Sequence, residues 1–366
     1  MQEDIFFNPV IEQKIEGDVV LFINNVNNIT VKIPLRVYKI LKRALLEGVS
    51  KKQLFFTGSF YLVKFLETLF FYDILITLEE SRLLESQLLK KSSRLDIEIN
   101  SIPDKKINEW CLFGAPVDFA MDPPRSPLHG PFMLRALCKN TRFLRDIGDI
   151  HLSSVDNIDK FGLKVSYVLS KILAKKNRAL MVGGDHSVTY HSIKEHLKKY
   201  PDLILVQFDA HSDINDFESK KTPLNHANFI TKLVSEFSME RIIQIGVRER
   251  KCYYREGYLE DNKIIQISGI QERELDRISD IIKNKNIYIT FDMDVFDPVI
   301  FPHVTTPLLG GLEFSTVKKI IKLIKSESKH LIGCDIVEFT CGFDAQGNYF
   351  NNEAGVLDEL VSELTK

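Results

Sequence analysis

Cysteine is scarce and unpatterned in this 366-residue chain. The five thiols, Cys111, Cys138, Cys252, Cys334 and Cys341, are odd in number and form no C-x-x-C pair. This excludes a disulfide framework and predicts reduced thiols, mostly core filler, in a cytoplasmic protein. An excess of charge is missing too: 48 basic against 50 acidic residues leave a formal net charge of −2, whereas a general nucleic-acid binder is basic. Long apolar runs are lacking. The stretch 60–76 is broken by Lys64, Glu67 and Asp73, and a membrane-crossing helix needs about 20 mostly apolar residues. No basic segment followed by an apolar core opens the chain, so no secretory signal is expected. Nucleic acid and membrane drop out as expected partners.

What remains, 44% hydrophobic and 27% charged residues, is the composition of an ordinary globular protein. The length suits two domains, or one large α/β domain with an appendage. Texture divides the chain into residues 1–77, 78–107 and 108–366. In the first part, β-rich runs at 19–23 and 29–33 flank an asparagine-rich stretch and predict a hairpin. Pro34 then leads into an amphipathic helix carrying Leu35, Tyr38, Leu41 and Leu45 and ending near Gly48. Two further helices are expected, one capped by Ser50 and one with Tyr61, Phe65, Leu69 and Tyr72 on a single face, before a last strand at 73–76. That order describes a small winged-helix-like α+β domain. Its first helix offers only Arg36, Lys39, Lys42 and Arg43, too little basic character to favour DNA. Residues 78–107 are polar and charged, a connector without visible chemistry.

From Trp110 onward short apolar strands alternate with helices. Strands are expected at 110–114, 179–182, 203–208, 242–246, 264–267, 287–291 and 331–336, with helices at 161–176 and 188–200. Near-continuous apolar strands between helices predict a three-layer α/β fold around a mainly parallel sheet. Ligands of such folds bind outside the carboxyl ends of the strands.

Polar clusters sit at those ends. Asp209-Ala210-His211-Ser212-Asp213 closes one strand, and alternating Asp, His and Asp suit a divalent transition metal. Asp292-Met293-Asp294 closes another; two carboxylates on one buried face need a cation or a proton between them. Asp297, before Pro298, reads as a turn residue. Gly183-Gly184-Asp185-His186-Ser187 closes a third strand, with glycines that permit close backbone approach and an Asp185 suited to orienting the loop. Each segment alone has a plain structural explanation, as a helix cap or a satisfied histidine. Together, His186, Asp209, His211, Asp213, Asp292 and Asp294 exceed the needs of one catalytic ion and suit two.

These segments resemble the ureohydrolases, the family of arginase and agmatinase. The resemblance spans about two thirds of the chain. It takes in Gly114-Ala115-Pro116-Val117-Asp118, Gly130-Pro131 with Arg135, Asp146-Ile147-Gly148-Asp149, Ile245-Gly246-Val247-Arg248 and Pro307-Leu308-Leu309-Gly310-Gly311-Leu312. It implies two Mn2+ ions and hydrolysis of a guanidinium group with release of urea. One ion would be held by His186, Asp209, Asp213 and Asp294, the other by His211, Asp209, Asp292 and Asp294. It also implies catalytic roles for Asp213, for Glu338 as the guanidinium-binding acid, and for His226 as the proton donor to the departing amine. Asn215 and Thr222 fall where arginases touch the far end of the substrate. The segment 301–307, with His303 and Val304, departs from the family's small glycine-containing loop; His303 is a lesser candidate ligand.

The headgroup chemistry leaves the substrate open. The first 77 residues resemble the domains that hold the leaders of ribosomal precursor peptides along a sheet edge. On that resemblance, the main expectation is a peptide arginase converting arginine side chains of a precursor peptide to ornithine. The alternative is a small guanidino substrate, free arginine, agmatine or a guanidino acid, with the appended domain serving a homo-oligomer. A non-catalytic homologue is disfavoured because the whole ligand set, His226 and Glu338 are present.

Overall fold

The computed structural model describes residues 5–7, 12–24, 29–46, 75–77, 89–90, 108–119, 127–152, 156–215, 222–340 and 351–366. The chain forms two compact units, residues 1–89 with 153–156, and residues 90–152 with 157–366.

In the first unit three antiparallel strands, Glu12–Glu16, Val19–Asn24 and Ile29–Pro34, form a meander. The expected hairpin is present, with Val20 opposite Ile33 and Phe22 opposite Val31. Gly17 takes φ +60° in the tight turn before Val19, a conformation that costs glycine little. The helix Leu35–Leu46 follows at once, and Tyr38 packs its ring 5.9 Å from Phe22. Ile5–Phe7 pairs with Leu75–Thr77. The expected second and third helices, at 50–72, lie outside the described residues.

The second unit is built on eight parallel strands: β1 (Trp110–Ala115), β2 (Arg145–Ile150), β3 (Arg178–Gly183), β4 (Ile204–Phe208), β5 (Arg241–Ile245), β6 (Ile264–Ile267), β7 (Asn286–Asp292) and β8 (His330–Val337). Their spatial order is β6-β5-β4-β7-β8-β3-β1-β2, and every pair is parallel. The longer helices are α1 (Gly130–Leu137), α2 (Ile158–Ala174), α3 (Val188–Leu197), α4 (Phe229–Glu236), α5 (Glu272–Ile282), α6 (Phe314–Glu327) and α7 (Asn351–Thr365). They fall into two packed groups, α2-α3-α4 and α1-α7-α6-α5, each with its own core against the sheet. Ile204, Val206, Phe208, Ile289 and Phe291 face one core; Leu203, Leu205, Ile242 and Tyr288 face the other. The arrangement is therefore a three-layer α/β fold, as expected. Among the described residues no helix is long and apolar enough to cross a membrane.

Strand β2 was not expected, because Arg145, Asp146, Gly148 and Asp149 interrupt its apolar pattern. The structure resolves the conflict through Arg135 on α1. Its guanidinium pairs with Asp146 at 2.7 Å through Nη2 and also with Asp149, so the charges inside the strand are neutralised by a partner one helix away. Arg135 and Asp146 are both buried.

Candidate metal centre and cavity

The strand ends converge as the parallel order requires. β4 and β7 are neighbours, with Phe208 in register with Phe291, so Asp209 and Asp292 leave the sheet side by side. β8 and β3 follow on the other flank. Gly184 makes the turn after β3 feasible: a Cβ there would fall 1.8 Å from the Val117 carbonyl oxygen. Asp185 accepts from the backbone N–H of Phe119 and Ser187, which fixes the loop carrying His186.

His186 is almost wholly buried. Its Nε2 lies 2.8 Å from Thr290 Oγ1, and that hydroxyl donates to Asp335 Oδ1 at 2.5 Å. With its proton committed, Thr290 must accept, so Nε2 carries the ring hydrogen and Nδ1 is a bare lone pair. Nδ1 has no hydrogen-bond partner, yet it faces Asp213 Oδ2 at 3.0 Å, Asp209 Oδ2 at 3.1 Å and Asp292 Oδ2 at 3.4 Å. A lone pair against three carboxylate oxygens in a buried place demands a positive charge, a proton or a cation. On the other flank, His211 Nδ1 lies 2.9 Å from Asp294 Oδ2 and 3.6 Å from Asp209 Oδ1. Two groups of metal-ligating atoms result, His186–Asp209–Asp292 and Asp209–His211–Asp294, sharing Asp209.

This corrects one expectation. Asp294 was placed beside His186 and as the second shared acid; the structure puts Asp292 against His186 and Asp294 against His211. The strand stops at Asp292, and Asp294 sits in a 3₁₀ turn, Met293–Val295. There its Oδ1 accepts from Ala210 N–H at 2.9 Å and its Oδ2 from Thr306 Oγ1 at 3.1 Å. Alternation along a strand therefore does not extend to this pair. Arg248 holds the same turn against the 307–312 loop, donating to the carbonyls of Asp294 at 2.7 Å and Leu308 at 2.8 Å.

Charge follows burial and proximity. Burial opposes the positive forms of both histidines, but the facing carboxylates win: His186 is raised well above the ordinary imidazole value and His211 is pushed up to about 12. Burial and the neighbouring Asp209 push Asp213 up to about 7. Burial, Asp294 and Asp209 raise Asp292 well above the carboxylate range.

Glu338 follows β8 in the left-handed region, at φ +62°, and Asp213 does so at φ +51°. Such backbone is uncommon for residues with a Cβ and collects at functional sites. Glu338 accepts from His186 N–H at 2.7 Å and from the Thr305 hydroxyl. His226 begins a 3₁₀ turn capped by Asn225, and its Nδ1 stands 3.4 Å from Glu338 Oε1. Burial alone would lower His226; Glu338 reverses this and raises it to about 9.

All of this opens onto a cavity of about 330 Å3 lined by His186, His211, Asp213, Asn215, His226, Asp292, Thr306 and Glu338, among others. Thr222 is half-buried and not among the lining residues. His303 is tied to Glu353, at 2.9 Å from Nδ1 and 3.0 Å from its backbone N–H, so it anchors α7 and does not join the ligand groups. Glu249 and Tyr253 line the cavity too and were missed; both follow Arg248, in the loop after β5. Among the described residues no thiol lines the cavity: Cys111, Cys138 and Cys334 are buried, Cys252 is exposed, and burial pushes Cys111 up to about 12.

One parallel sheet at the centre of a three-layer fold thus carries two His and Asp clusters, each able to hold a metal ion, at its carboxyl edge. The family model described as the arginase family matches residues 108–364, and the chain belongs to that family. It is 28% identical to the agmatinase of Serratia proteamaculans over 275 residues, 68% of this chain and 85% of that one. An agmatinase of Neisseria meningitidis is also 28% identical, over 269 residues, with 68% and 85% covered. Among solved structures, proclavaminate amidino hydrolase from Streptomyces clavuligerus shares the fold with TM-score 0.63 at 21% identity, covering 76% of this chain and 97% of that one. Arginase from Bacillus subtilis does so with TM-score 0.59 at 20% identity, covering 70% and 98%.

Proposed function

We propose that the protein hydrolyses a small guanidino compound to urea and an amine, using two divalent cations, manganese foremost. The carrying observation is Nδ1 of His186 facing three carboxylates, beside a cavity that also receives Glu338 and His226. His186, Asp209, Asp213 and Asp292 would hold one ion, and His211, Asp209 and Asp294 the other. When bound, the paired cations supply Lewis-acid polarisation and acidify water.

The remaining roles belong to side chains. Glu338, kept ionised by His226, the Thr305 hydroxyl and the His186 N–H against the cost of burial, receives the planar guanidinium cation. Asp213 lines the cavity and takes up the proton of the attacking water. His226, protonated at neutral pH by its partnership with Glu338, gives its proton to the leaving amine. Asn215 contacts the far end of the substrate.

The agmatinase relatives support a small substrate over an arginine within a peptide, which was the main expectation. Glu249 lines the cavity, and its carboxylate favours a cationic tail. A urea-release assay with Mn2+ tests the reading on agmatine, free arginine and an arginine-containing peptide. Agmatine is expected to react best. Fastest release from the peptide would reverse the substrate choice, and no urea from any of them would sink the hydrolase reading.

A further inference from the structure

One row of polar side chains crosses the sheet directly beneath the ligand groups. Gln266 on β6, Gln244 on β5 and Gln207 on β4 are in register, and Gln207 continues to Thr290 on β7 and Asp335 on β8. All five share one face, since residues in register on adjacent strands point the same way. Gln207, Gln244, Thr290 and Asp335 are completely buried, each between two apolar neighbours in its strand.

The glutamines form a directed chain. Gln207 Nε2 donates to Asp209 Oδ2 at 2.7 Å and to Asp213 Oδ2 at 3.2 Å. Its Oε1 accepts from Gln244 Nε2 at 2.7 Å, which also donates to the Ser212 carbonyl at 2.7 Å. Gln244 Oε1 accepts from Gln266 Nε2 at 2.9 Å, and Gln266 Oε1 from the Tyr254 hydroxyl at 3.2 Å. The carboxylates dictate the sense. Only an NH2 can face Asp209, so Gln207 must present its oxygen to Gln244, and that choice repeats outward. Every amide dipole therefore points its positive end at Asp209 and Asp213, and aligned hydrogen bonds strengthen one another.

The geometry points to the Gln207–Gln244–Gln266 row as a positioning device: it locks Asp209 and Asp213, two of the three acids facing His186, in the orientation that receives a cation, and so sets metal affinity at that side of the centre. This rests on the two-cation reading above. Gln207 acts on the ligand oxygens. Gln244 acts through Gln207, whose buried oxygen would otherwise lack a donor, and through the Ser212 carbonyl. Gln266 fixes Gln244 from outside.

The test is calorimetric titration of Mn2+ into the metal-free full-length chain and its Gln207→Met, Gln244→Met and Gln266→Met variants, with melting temperatures of the metal-free forms alongside. Loss of a partner that orients a ligand costs about 10–100-fold in metal affinity; that range is expected for Gln207→Met, with smaller losses for Gln244→Met and then Gln266→Met. Urea release should recover at saturating Mn2+. Parent-like affinity in Gln244→Met overturns the inference, as do affinity losses that merely track the melting temperatures. A parent chain that binds no Mn2+ overturns both this inference and the two-cation reading; a parent that binds two ions alongside an unaffected Gln244→Met overturns this one alone.

Discussion

The hydroxyl of Thr290 stands 2.8 Å from Nε2 of His186 and thereby decides which nitrogen of that ring faces the carboxylates. Behind Thr290, Asp335 also accepts from Tyr288 at 2.8 Å and Thr189 at 3.1 Å, so the hydroxyl cannot easily turn. Thr290→Val keeps the shape and removes the acceptor. A buried N–H left without a partner costs about 1–3 kcal/mol, and Mn2+ affinity should fall about 10–100-fold. Titration of the variant checks this; parent-like binding would show that the ring needs no such anchor.

The division of ligands between the two ions makes a separate forecast. Asp294→Ala should remove an ion on the His211 side and leave the His186 side loaded, whereas Asp292→Ala should weaken the His186 side. Metal stoichiometry by elemental analysis after gel filtration distinguishes them. One residual ion in Asp294→Ala, held more weakly once His186 is also replaced, is the expected pattern, and the reverse would restore Asp294 to His186.

His226 titrates near pH 9 because Glu338 stabilises its charged form. A raised folded value means that the pair's contribution to stability is fully present below the unfolded imidazole value, about 6.5, and is lost as pH rises through about 9. In Glu338→Gln the proton should leave at lower pH. An NMR titration of the imidazole in the metal-free protein measures the shift, and an unmoved midpoint would assign the stabilisation elsewhere.

Binding of ions should also appear as stability. A ligand present at 100 times its dissociation constant stabilises the folded state by about 2.7 kcal/mol. Melting temperature should climb with added Mn2+ and fall on chelation; a flat response would argue against any ion in this nest of buried acids.

Arg135→Leu tests the strand that the sequence conceals. It strands Asp146, which is 1% exposed, without its counter-charge. Breaking a buried pair from one side costs about 3–5 kcal/mol, readable as a lowered denaturation midpoint. A loss below about 1 kcal/mol would place the pair among exposed bridges.

Seven of the eight parallel strands, and the three strand ends that carry the candidate ligands, were legible because apolar runs ending in Asp or His are local signals. β2 was not, since its charges are cancelled by a helix residue that no window along the strand contains. The partition of Asp292 and Asp294 depended on where a strand yields to a 3₁₀ turn, one residue beyond what periodicity resolves. The polar row was missed, though Gln207, Gln244, Gln266, Thr290 and Asp335 each interrupt an apolar strand near its end. Reading it required the strand order, and that lies in the crossover topology. The left-handed backbone at Glu338 left no trace in residue type at all.

The parallel order has a consequence for how this protein comes to be assembled. His186 and Glu338 are bonded to each other across 152 residues of sequence, and Asp209 and Asp292 meet only once β4 has found β7. Contacts of such long range form late and slowly, because the intervening chain must first surrender its freedom. No partially paired sheet can offer the complete nest of ligands. On the two-cation reading, capture of the ions is therefore a signature of finished folding, and during refolding it should lag behind the return of helical signal.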